Sequence, residues 1–112
     1  MTGRDRLYLL HMRANAERAQ DLARGRRRED LDHDEALRFA LAYLLQTIGE
    51  AAGRVSKRTR LAHPEIAWPA IIGMRHRIVH DDMNLDEQIV WSTVTEDRAP
   101  MLEALRRILD DG

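Results

Sequence analysis

The stretch EALRFALAYLLQTIGEAAGRV, residues 35–55, is the most regular segment of the chain. Leu37, Leu41, Leu44, Ile48, Ala51 and Val55 step by three or four, the spacing that lines one face of an α-helix. Asp32 with Glu35 has the form of a capping box, with Asp in the hydroxyl position. Phe39, Tyr43 and Leu45 extend the apolar surface beyond a single stripe. Two covered faces are therefore expected, as in a central helix or one that meets a second copy of the chain. Gly49 and Gly53 lie four apart, and each weakens a helix interior by about 1 kcal/mol relative to Ala. Close approach of another helix is the expected compensation.

The flanking sequence is also helical in pattern. Leu7, Leu10, Ala14 and Leu22 suggest a first helix over about 5–24, with Gly25 placed to end it. Arg26 to Asp30 reads as a charged connector. His63-Pro64 marks a break, and Pro69 suits the first turn of a third helix docked by Ile71, Ile72, Ile78 and Val79. Asn84-x-x-Glu87 resembles a cap for a short helix containing Ile89, Val90, Trp91 and Val94. Thr95 would open a last helix striped by Leu102, Leu105, Ile108 and Leu109, with Pro100 bending its first turns. Nothing alternates as a strand does. The expectation is an all-α, up-and-down bundle of four to five helices, formed by residues 1–112 as one domain.

Composition narrows the function. The 112 residues are 44% hydrophobic and 33% charged, which excludes a low-complexity disordered chain. The absence of cysteine rules out disulfides, thiolate metal sites and a cysteine nucleophile. No apolar run reaches the roughly 18 residues of a membrane span, and His11 and Arg13 interrupt the start, so a cytoplasmic location is expected. Net charge is −1, but residues 1–80 carry 15 basic against 10 acidic side chains, and residues 81–112 carry 3 against 9. This asymmetry suits an anion-binding face in the first part and a charge-complementary contact with the last. All but one of the 18 basic residues are Arg, the side chain best shaped for phosphate; an arginine-biased genome explains that equally well.

The densest polar constellation is Met74-Arg75-His76-Arg77-Ile78-Val79-His80-Asp81-Asp82. Three readings of it compete. It is a solvated helix end; or His76 and His80, four apart, bind a metal with Asp81 or Asp82; or Arg and His act on a phosphodiester. Arg77 opposes the metal by placing a positive charge between the two histidines. For the third reading, Arg offsets charge developing on a phosphate, and His exchanges protons near neutral pH. On an ideal helix Arg75 and His80 would point roughly 140° apart, so they converge only if the helix ends near His80 or two copies of the segment meet in a dimer.

The segment from Ile71 to His80 resembles the R-x4-H signature of the HEPN superfamily, and more closely its HepT-like toxin branch. Ile48-Gly49-Glu50-Ala51-Ala52 is similar to that branch's IGEA stretch. Pro64-Glu65-Ile66-Ala67-Trp68 is similar to its PEIPW lead-in, and Ile89 to Val94 to its IVW-x-TV segment. The four segments fall in the branch's order from about Asp5 to Leu109. The resemblance implies an all-helical homodimer with a cleft at its interface. It also implies metal-independent endoribonuclease toxicity without a cofactor, and a minimal nucleotidyltransferase (MntA-like) antitoxin as in type II or VII pairs. Arg75 and His80 then carry over as the catalytic pair. His76, Arg77 and the run Arg26 to Arg28 would guide the RNA backbone, and Glu50 would orient Arg75 or pair with it.

In one place the chain departs from the branch, whose fuller motif is R-x4-H-x-Y. Its tyrosine receives AMP from the antitoxin; here that position is Asp82. A carboxylate does not replace a phenol as that acceptor. Asp82 would instead hold one His80 tautomer, or repel RNA and mark a weakened enzyme. Tyr8 and Tyr43 lie on apolar helical faces and are expected in the core. Trp68 and Trp91 belong to segments with packing roles, so nothing in the sequence reads RNA bases. The rival function is a catalytically silent HEPN module that binds and regulates a nucleotidyltransferase.

Overall fold

The computed structural model describes residues 1–111, with the side chains of 1–110. Its helices are α1 (Gly3–Ala23), α2 (Asp30–His33), α3 (Glu35–Arg54), α4 (Lys57–Ala62), α5 (Trp68–Ile72), α6 (Met74–Ile78), α7 (Glu87–Ser92) and α8 (Arg98–Asp111), with a π-helical turn over Thr93–Asp97. Among the described residues there is no strand, only an isolated antiparallel bridge between Val79 and Leu85. The all-α expectation holds. The elements outnumber the four or five foreseen because Gly73 divides the third helix and because α2 and α4 are single short segments between the long ones.

The α3 stripe is the spine of the core. Leu37, Leu41, Leu44, Ile48, Ala51 and Val55 are all buried, as their spacing predicts. Each fully buried leucine contributes about 1.5–3 kcal/mol of transfer free energy. The cap of α3 is Asp34, whose carboxylate accepts from the Leu37 N–H at 2.9 Å; Asp32 instead lies within α2 and pairs with Arg28. Gly49 is required where it stands: a Cβ there would meet the Ile71 carbonyl oxygen at 2.7 Å, so α5 packs directly on its backbone. Gly53 has no such need, its nearest neighbour being Ile72 Cγ2 at 3.8 Å. Leu45 is buried, but Phe39 is 53% and Tyr43 67% exposed, so the outer face of α3 stays open. Tyr8 is half-buried, so neither tyrosine lies fully in the core.

In α1 the expected face is only in part the one that enters the core: Leu10 packs against it and Ala14 is partly buried, but a second, overlapping stripe is the one fully covered. Leu9, Met12, Ala16 and Ala19 are buried, while Leu7 and Leu22 are exposed. Both sets have helical spacing. The buried set ends in two alanines, which let α1 lie close along α3, and Asn15 adds a bond to Thr47 across that contact at 3.1 Å. The chain leaves α1 through an Arg24-Gly25 turn, with Arg24 extended, Gly25 at φ +74° and the Arg26 N–H bonded to Ala23 O. Gly25 thus ends the helix as expected, since a left-handed φ is nearly free for Gly.

Buried Asp5 ties the start of α1 to the joint between α3 and α4. It accepts from Ser56 N, Ser56 Oγ and Thr59 Oγ1 at 2.9, 2.6 and 2.7 Å. These donors hold its carboxyl below the ordinary range, against the opposing effect of burial.

The C-terminal run is continuous from Glu87 to Asp111, so Thr95 opens no new helix. The proline at position 100 has no N–H for the Glu96 carbonyl, and its ring crowds that oxygen. The π-turn one turn earlier is where the helix gives way. Leu102, Leu105, Ile108 and Leu109 all enter the core. The acidic last part meets the basic first part through Arg13–Asp110 at 3.5 Å, Arg38–Glu87 at 4.0 Å and Arg77–Asp97 at 3.8 Å. Exposed pairs of this kind are each worth under about 1 kcal/mol, so they orient more than they stabilise.

Candidate active site

Gly73 ends α5 and allows α6 to restart, its N–H reaching Pro69 O at 3.0 Å. Met74 and Ile78, four residues apart, fix the inner face of α6 in the core. Arg75 and His76 are consequently exposed on the outside, with Arg77 at the side, 3.8 Å from Asp97.

The helix stops at Ile78, and this changes the geometry of the motif. Val79 is extended and bridges Leu85, with Asp86 N bonded to Ile78 O and His80 N to Asn84 O, both at 2.8 Å. The reversal is closed by Met83 N on His80 O and requires φ +70° at Met83, a conformation uncommon for a side chain of that size. His80 therefore does not lie on the helix that carries Arg75, and the 140° divergence of an ideal helix does not apply.

The reversal brings Asp86 against His80. One Asp86 oxygen caps α7 by accepting from Ile89 N at 3.0 Å, and the other lies 3.1 Å from His80 Nε2. Both contacts, the Ile89 amide foremost, hold the Asp86 carboxyl below its ordinary value. An ionised carboxylate only accepts, so Nε2 is the donor in this contact and Nδ1 is left free of it. The Asp86 side chain is 25% exposed and His80 52%, so the histidine is braced yet open to solvent.

Two expectations change here. Asn84 is not the cap of α7; it is consumed by the reversal, and Asp86 caps instead. Asp82 does not hold His80. Its carboxylate accepts from Asn84 N and Asn84 Nδ2, both at 3.1 Å, which stiffens the turn and lowers its own pKa. Sequence reasoning missed Asp86 although Asp86-x-x-Ile89 carries a cap signal as good as the one chosen. Glu50 is exposed on α3, and among the described residues it forms no ion pair with Arg75. The Arg26 to Arg28 run is locally engaged: Arg26 with Asp34 and Asp30, Arg27 with Glu29, and Arg28 with Asp32 and Gln88. Among the described residues no group of three His, Asp or Glu side chains is placed to share a cation. Trp68 is buried and donates its indole N–H to His63 O at 3.0 Å, which confirms its packing role.

A helical fold of HEPN type, with an arginine on a short helix five residues before a carboxylate-braced histidine, defines the class. Residues 12–108 match the family described as Ribonuclease HepT-like, and the chain belongs to that family of ribonucleases. A relative from Caldanaerobacter subterraneus subsp. tengcongensis, named as a candidate RNase, is 29% identical over 104 residues, 93% of each chain. One from Thermococcus cleftensis, named as a candidate ribonuclease HepT, is 35% identical over 69 residues, 62% of this chain and 63% of its own. A third, from Methanocaldococcus jannaschii and named as a candidate RNase, is 27% identical over 88 residues, 74% of this chain and 76% of its own. No solved structure matches the chain. Among the described residues no helix is long and apolar enough to cross a membrane.

Proposed function

We propose that the protein is a metal-independent endoribonuclease toxin that acts in the cytoplasm as a homodimer and is restrained by a minimal nucleotidyltransferase antitoxin. The observation that carries this reading is the His80–Asp86 contact, which braces a solvent-facing imidazole just past the end of the short helix that bears Arg75. His80 Nδ1 takes the proton of the RNA 2′-hydroxyl, whose oxygen attacks the adjacent phosphorus. The 5′-oxygen leaves with a proton from the imidazolium of the second subunit's His80, and the products are a 2′,3′-cyclic phosphate and a 5′-hydroxyl. Arg75 offsets the charge gathering on the non-bridging oxygens. His76 and Arg77 flank it on the same short helix and hold the RNA backbone.

The open face of α3 supports the dimer. Phe39 and Tyr43 lie one turn apart and mostly exposed, with the Arg38 guanidinium 5.3 Å from the Phe39 ring centroid. A two-fold contact on this face would cover the exposed rings of both copies.

The test is cleavage of an RNA panel in excess EDTA, beside a His80→Ala protein of matched fold and oligomeric state. Cleavage that survives the chelator and disappears with His80 establishes the reading. RNA left uncut with and without added metals would make the silent binding module the better account, with the acidic neighbours Asp81 and Asp82 as its cause.

A further inference from the structure

Residues 51–64, from the last turn of α3 through α4, contain Arg54, Lys57, Arg58 and Arg60 and no Asp or Glu. Arginines elsewhere are largely matched: Arg13, Arg28, Arg77 and Arg106 each meet a carboxylate at 2.9–3.8 Å. Among the described residues the four cations of this segment meet none.

Packing fixes which way they face. Val55 and Thr59 are buried, and the Thr59 hydroxyl donates to Asp5 at 2.7 Å, which pins α4 to the start of α1. Arg54, Lys57 and Arg58 are thereby left exposed, and Arg60 half-buried. The same contact brings in Arg4, exposed beside Asp5 and likewise without a carboxylate partner among the described residues. The acids nearest to this patch are few. Asp5 is buried and turned to its three donors, Glu50 is exposed one turn before Arg54, and Glu65 lies 3.7 Å from His63. Like charges gathered in this way repel one another, so the surface favours a partner with negative charge at short, regular intervals. A nucleic acid strand has that charge spacing, and guanidinium groups match its phosphates.

Position points the same way. The α5–α6 segment crosses α3 at Gly49 and Gly53, where Met74 Cβ and Ile72 Cγ2 lie 3.3 and 3.8 Å from an added Cβ. Arg75 directly follows Met74, and Arg54 begins the patch about 7.5 Å along α3 from that contact. The Arg26 to Arg28 run has no comparable surplus, since Asp30, Asp32 and Asp34 offset it.

We propose that Arg4, Arg54, Lys57, Arg58 and Arg60 hold phosphates of the RNA strand outside the scissile bond, by charge and without reading bases. The proposal takes RNA as occupant from the ribonuclease reading and adds where the strand lies, over the end of α3 and onto α4.

The test is fluorescence anisotropy of a labelled, mixed-sequence 2′-O-methyl RNA, which lacks the attacking hydroxyl and stays intact, over stepped KCl concentrations. The triple variant Arg54→Gln, Lys57→Gln, Arg58→Gln, all at exposed positions, should melt as the unaltered protein does. It should bind about tenfold more weakly and lower the salt slope by about 2, near 0.7 for each lost contact to a single strand. Arg26→Gln, Arg27→Gln, Arg28→Gln removes the same net charge and should weaken binding by less than about threefold. Arg54→Lys with Arg58→Lys keeps the charge and should keep most of the affinity. Unchanged affinity in the patch variant, or an equal loss in both triples, would overturn the assignment even if the protein cuts RNA in EDTA. Patch-dependent binding by a protein that cuts no RNA keeps the assignment and overturns the ribonuclease reading instead. Capture by phosphatidylserine vesicles that the patch triple abolishes, with RNA binding unaffected, would give the surface to a membrane and overturn the assignment too.

Discussion

Asp86 serves two elements with one carboxylate: its first oxygen caps α7 through the Ile89 amide, and its second lies 3.1 Å from His80 Nε2. The orientation of the candidate base is therefore tied to the folding of the next helix. Movement of α7 would release the histidine, so the helix cap also sets the position of the imidazole.

Asp86→Asn separates these tasks, because an amide still accepts from Ile89 but no longer fixes the imidazole tautomer as a carboxylate does. Ribonuclease turnover should fall by about tenfold or more with little change in KM, whereas His80→Ala should remove the roughly 10²–10⁴-fold of acid–base catalysis. Melting of Asp86→Asn should stay close to wild type. Asp86→Ala should also lose the cap, about 1 kcal/mol of stability. Undiminished turnover in a folded Asp86→Asn protein would count against the contact.

The two α3 glycines should respond with opposite sign. Gly49→Ala drives a Cβ to 2.7 Å from the Ile71 carbonyl oxygen and should destabilise by about 1–3 kcal/mol as α5 is pushed away. Gly53→Ala meets nothing closer than 3.8 Å and should stabilise by about 0.5–1 kcal/mol through helix propensity. Chemical denaturation of the two variants measures both.

Acid sensitivity should centre on Asp5. Its folded-state pKa is depressed by donors from Ser56 and Thr59, so its stabilising contribution is complete above the ordinary carboxylate range. That contribution falls away as pH drops from about 4 through the lower folded value. Asp5→Asn should lose about 1.5–3 kcal/mol at neutral pH and show a flatter stability profile below pH 4 or so. Thermal melts at stepped pH would show the two curves converging in acid.

Asp82→Tyr restores a phenol at the motif position while removing the two bonds to Asn84 that brace the turn. Incubated with a cognate nucleotidyltransferase and ATP, this variant should gain the mass of AMP, and the unaltered chain should not. Modification of the unaltered protein at Tyr8 or Tyr43 would show that the acceptor has moved elsewhere.

Much of this protein was legible from residue spacing alone. The α3 stripe, the α8 stripe, the Gly25 stop and the close approach at Gly49 are local or one-faced properties, and each is forced by helical period or by the lack of a Cβ. Family membership was legible on other grounds, the resemblance of Ile48 to Ala52, Pro64 to Trp68, Ile71 to His80 and Ile89 to Val94, in that order, to segments of the HepT-like branch. The face of α1 that enters the core was not legible. Leu7, Leu10 and Ala14 compete with Leu9, Met12 and Ala16 at the same spacing, and only the fit of the alanines against α3 decides between them. Nor was the partner of His80. Asp82 is nearer in sequence, but the end of α6 at Ile78 and the reversal at Met83 turn Asp82 toward Asn84 and bring Asp86 to the imidazole. Pairing across a reversal depends on where the backbone turns, and that is set by the Val79–Leu85 bridge and the burial of Ile78 rather than by any spacing within the motif.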